Sequence, residues 1–110
     1  MSRTYFANAA AEATPILVAS TSSGSPTTLI EPKSGDSGHR LTIRAWNTDS
    51  SARTLTVQWG GTATQNKIPY ELPVGFGPVV VLEDFKMAEG VDVTAFASAA
   101  NVVGILLEVA

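Results

Sequence analysis

The sequence predicts an all-β chain, an antiparallel β-sandwich or jelly roll of about seven or eight short strands. Three observations predict it. Apolar and polar residues alternate with a period of two through RLTIRAWN (40–47), RTLTVQW (53–59) and VDVTAFA (91–97), the signature of strands with one buried face. Clusters of Gly, Pro, Ser, Asn and Asp separate such runs at intervals of about 8–12 residues. Helical patterning is confined to the first residues and to FKMAEG (85–90).

The elements follow in order. Residues 1–14 are Ala-rich without a clear period and read as an extended N-terminal arm. Residues 15–110 then form one sandwich domain. PILVAS (15–20) is a short apolar strand, and Pro15 suits its first position. TSSGSP (21–26) is a loop by composition. TTLIE (27–31) is a strand and PKSGDSG (32–38) a turn-rich loop. In 40–47, Leu41, Ile43 and Ala45 point inward, and Thr42, Arg44 and Trp46 outward. TDSSA (48–52) reads as a hairpin loop leading into 53–61, where Leu55, Val57 and Trp59 share the core face. Thr54, Thr56 and Gln58 share the polar face. TATQNKIPYELPVGFG (62–77) is a long connection with a short pairing near 67–72. PVVVLED (78–84) is a continuous apolar strand, expected to be buried on both sides. The last two runs, 91–97 and 102–109, read as a hairpin whose loop contains Asn101, a residue that tolerates left-handed geometry.

That last pair raises a functional question. Val93, Ile105 and Leu107 belong to the core face, which leaves Phe96, Val102 and Leu106 on the other. Apolar side chains on a second face need a cover, either from a neighbouring subunit or from the N-terminal segment of the same chain. Phe96, Val102, Leu106 and the outward Trp46 are therefore the candidate oligomer interface.

Composition limits the function. Of the 110 residues 45% are hydrophobic and only 15% charged, against the ~25% charged of an ordinary soluble domain. A surface poor in charge suits a protein covered by partners. The net charge of -3 argues against nucleic acid and anionic membrane as partners. Cysteine is absent, so disulfides and thiolate metal sites are excluded. No apolar run reaches the ~18 residues of a membrane span, and the N-terminus lacks the pattern of a secretory signal.

The candidate chemistry is thin. GDSGH (35–39) nearly matches the GDSGG around the nucleophilic serine of chymotrypsin-like proteases. A serine there needs a histidine base and an aspartate to orient it. The single histidine, His39, stands two residues from Ser37, and Asp36 cannot join them in triad geometry on a turn. A turn before the next strand is the favoured reading. Glu83, Asp84, Glu89 and Asp92 offer oxygens to calcium but lack the spaced Asp-x-Asp-x-Asp-Gly pattern, so they read as solvated. Trp46 and Trp59 are the residue types of a sugar platform, although the parity of Trp59 assigns it to the core. WGGT (59–62) lacks a P-loop lysine and reads as a strand-ending turn. The expectation is no catalysis, no cofactor and no metal.

From Leu41 to Val109 the chain also resembles small virion accessory proteins of tailed bacteriophages. Ile43, Asn47, Arg53 to Val57, Gly60 and Gly61 carry the first half of the resemblance. Leu82, Gly90, Val93, Ala95, Ala97 to Ala99, Val102 and Glu108 carry the second. The resemblance implies a structural protein on the capsid surface, made in the host cytoplasm. Within the group, a head decoration (cement) protein is preferred, bound to the major capsid protein as a homo-oligomer. Sites at local threefold axes would make that oligomer a trimer. The alternative is a carbohydrate- or protein-binding module, such as a fibre- or spike-base component, using Trp46 and the loop of the 60s.

Overall fold

The structure is a computed structural model that describes residues 15–32, 37–75 and 78–109. The arm expected over residues 1–14 and the first half of the Gly-Asp-Ser-Gly turn, Gly35 and Asp36, lie outside the described residues. Among the described residues there are eight strands: β1 (Ile16–Val18), β2 (Thr27–Ile30), β3 (Arg40–Asn47), β4 (Arg53–Trp59), β5 (Lys67–Leu72), β6 (Val79–Lys86), β7 (Val93–Ala97) and β8 (Val103–Val109). A 3₁₀ turn, Thr64–Asn66, leads into β5. The bounds of β3 and β5 are those read from the sequence.

The strands form two four-stranded sheets, in the orders β1-β8-β3-β6 and β2-β7-β4-β5. Every pairing is antiparallel. The nested pairs β1·β8, β2·β7, β3·β6 and β4·β5 are those of one long hairpin rolled up with the β4–β5 turn at its tip. This is the wrapping of a jelly roll. Alternation places Leu41, Ile43, Ala45, Leu55, Val57, Val93, Ile105 and Leu107 between the sheets, where all are buried. Each large apolar side chain there contributes roughly 1.5–3 kcal/mol. Met87 plugs the core at the end where β6 leaves it.

Four expectations need correction. Strands 91–97 and 102–109 are not a hairpin, because β7 lies between β2 and β4 while β8 lies between β1 and β3. Asn101 does take the left-handed conformation (φ 61°), but in an arch between sheets. The link at 48–52 likewise crosses from β3 in one sheet to β4 in the other. Asn47 shows why. Its Nδ2 donates to the Ser51 carbonyl at 2.8 Å and to the Leu72 carbonyl at 3.1 Å, and its Oδ1 accepts the Asp49 N–H at 2.9 Å. The buried amide thus ties the end of β3 to the end of β5 in the facing sheet, steering the chain across. Strand β6 is an edge strand rather than doubly buried: Val79 and Val81 pack on the core, and Glu83 and Asp84 are exposed. Finally, Phe85 and Lys86 end β6, so the helical patterning of 85–90 is not realised.

Edge strands need protection against pairing with other chains. Pro69 supplies it in β5 by removing a donor. In β6 an irregularity does so, around Asp84 with φ 56°. It turns Phe85, 42% exposed, onto Trp59 with ring centroids 5.5 Å apart. Trp59 is partly buried against the core, closing one end of the sandwich.

Candidate functional site

The outer face of the β1-β8-β3-β6 sheet is built in rows fixed by strand register. Leu17, Gly104 and Trp46 stand in the first row. Leu106, Arg44 and Val80 form the second, and Glu108 and Thr42 the third. Gly104 is required for this arrangement: a Cβ there would collide with the Trp46 ring. The indole therefore lies over Gly104 of β8, in the row that ends at Leu17. Leu17 is 54% exposed. Arg44 Nε donates to Glu108 Oε1 at 2.8 Å, and both side chains are nearly half exposed (40% and 49%). The result is an apolar patch of Leu17, Trp46 and Leu106, with Arg44, ion-paired to Glu108, standing between it and Val80.

Of the four expected interface residues, the structure brings Trp46 and Leu106 onto one face. Phe96 lies on the outer face of the other sheet, because β7 belongs there. Val102 sits in the arch before β8, partly buried against the core. Leu17 was missed, since period-two alternation does not tell which strands lie side by side.

The outer face of the β2-β7-β4-β5 sheet is covered differently. Gln58 is wholly buried although it points outward. Its Oε1 accepts from Ser23 Oγ, and its Nε2 donates to Thr94 Oγ1 at 3.1 Å and more weakly to the Ser23 carbonyl. The β1–β2 loop is thus strapped over the sheet, and the face expected to be polar and wet is closed at Thr56 and Gln58. Beside the strap is a cavity of about 240 Å³, lined by Gly60, Gly61 and Gly90 together with Gln58, Thr94 and Asp92. Gly60 (φ 79°) donates its N–H to the Asp92 carbonyl at 2.8 Å, which joins the β4–β5 and β6–β7 loops. A side chain on Gly60 would meet Val91 at 2.8 Å, so the cavity wall depends on glycine.

The remaining candidates have local roles. Ser37 Oγ accepts the Glu89 N–H at 2.8 Å, and His39 O accepts the Met87 N–H at 2.8 Å, so this segment fastens the β6–β7 loop. Among the described residues no three His, Asp or Glu side chains gather as a metal site. At Asp49, the hydrogen bond from Arg53 Nε (2.6 Å), then that from the Ser50 N–H, holds the carboxyl below its ordinary value of 3.8. Compared with known proteins, the chain matches no family model, no curated protein and no solved structure.

Proposed function

We propose that this chain is a structural virion protein, a head decoration (cement) protein that binds the major capsid protein and stabilises the shell as a homo-oligomer. The observation that carries the reading is the apolar patch of exposed Leu17 and half-buried Trp46 and Leu106 on an outer sheet face. Contiguous apolar patches on a monomer mark interaction surfaces. The Arg44–Glu108 pair beside it is neutral as a unit, so a second copy meets no net charge there. The jelly-roll wrapping is compatible, since such folds recur in capsid and lectin domains, but a fold alone does not assign a function. The trimer and the capsid-surface location follow from the resemblance to phage accessory proteins.

Co-sedimentation with capsids of the virus that encodes the chain tests the proposal. Capsids lacking the protein should bind it saturably and then resist heat better. No binding overturns it. A second reading, a binding module of the fibre- or spike-base kind, is favoured by the cavity beside Gln58.

A further inference from the structure

We infer that the cavity beside Gln58 is a docking socket for a single arginine side chain of a protein partner. This inference does not rest on the decoration reading, because the cavity opens on the sheet opposite the apolar patch. Its size comes first. At about 240 Å³ it is smaller than the ~300–1,000 Å³ of pockets for drug-sized ligands, and suits one side chain or one small ring.

Its chemistry selects between those. Gly60, Gly61 and Gly90 give walls of bare backbone, against which an aliphatic stem packs closely. The ionisable residue on the wall is Asp92. Its backbone carbonyl is used by Gly60, while its exposed carboxylate has no hydrogen bond or ion pair among the described residues. Walls of glycine backbone and Pro26, set among the polar Gln58, Thr62 and Thr94 with one unpaired anion, match a side chain that lays its stem on carbon and keeps its charge at the mouth. The guanidinium adds a planar fork that pairs with a carboxylate through two parallel hydrogen bonds. A sugar ring is disfavoured: no described lining residue is aromatic, and Trp59 is engaged with Phe85. The socket is also held rigid. Gln58 fastens the floor to Ser23 and Thr94, and Asn66 Nδ2 donates to the Trp59 carbonyl at 2.7 Å behind Gly61. Loops positioned in this way on a stiff scaffold are where binding groups concentrate.

The test is an amide-resolved NMR titration of the full chain with N-acetyl-arginine methylamide, its uncharged citrulline analogue and a methyl glycoside. Saturable shifts centred on Gly60, Gly61 and Gly90 are expected with the arginine compound. Asp92→Asn, an exposed and near-isosteric change whose folding the same spectrum checks, should weaken that binding about fivefold, the upper range for an exposed ion pair. The inference is overturned if these amides do not respond, if citrulline or Asp92→Asn leaves the response unchanged, or if the glycoside binds there more tightly.

Discussion

At the scale of single residues, three positions are dictated by their neighbours. Gly104 exists so that Trp46 can cross the β8 backbone. Gly104→Ala should shift the indole and cost about 1–3 kcal/mol, the usual penalty of forcing volume into a packed site. A denaturation midpoint and tryptophan emission both unchanged would refute this contact. Asn47 fastens the arch between sheets with three hydrogen bonds. Asn47→Ala leaves the Leu72 carbonyl without that donor and should cost about 2–3 kcal/mol in urea unfolding. Asp49 carries a pH signature. Its carboxyl is lowered by Arg53 first and Ser50 second. Its stabilising contribution is therefore complete above the unfolded value and is lost as pH falls through the lowered folded one. Melting curves of wild type and Asp49→Asn should differ at neutral pH and converge in acid. A constant gap across that range contradicts the ion pair as its source.

At the scale of elements, alternation decides which face a residue occupies and nothing about which strand lies beside it. That is why the core was legible from the sequence and the pairing was not. Leu41, Ile43, Leu55, Val57, Val93, Ile105 and Leu107 were placed correctly by period alone. The two supposed hairpins failed because links as short as 48–52 and 98–102 serve equally well to cross from one sheet to its partner. At the 48–52 link the contact that steers the crossing is the buried Asn47, whose partner Leu72 stands 25 residues away. The cavity was not legible either, since it joins residues from separate loops whose meeting is set by the pairing of β4 with β7. Of the expected interface, Trp46 and Leu106 share a sheet face and Phe96 does not. A pair of substitutions in β8 tests the parity directly. Ile105→Asp buries an unpaired charge between the sheets and should cost several kcal/mol, enough to unfold a domain of ordinary stability. Leu106→Lys, one residue on, points to the outer face and should leave the monomer folded, losing only the melting increment that self-association adds. Equal effects of the two would mean that β8 faces are misassigned.

At the scale of the whole molecule, the two outer faces are unlike. One is strapped by its own β1–β2 loop through Gln58 and Ser23, and the other presents Leu17, Trp46 and Leu106 without such a cover among the described residues. With only 15% charged residues, the chain has little else to keep such a face apart from a like surface. Closed symmetric oligomers bury patches of this kind. We propose that this face is covered by another copy of the chain. Light scattering on wild type and Leu106→Lys at matched concentration is the direct measurement. An oligomer, with a trimer as the expected size, is expected for the wild type, and a folded monomer for the variant. A monomeric wild type, or a variant that assembles as the wild type does, would contradict it.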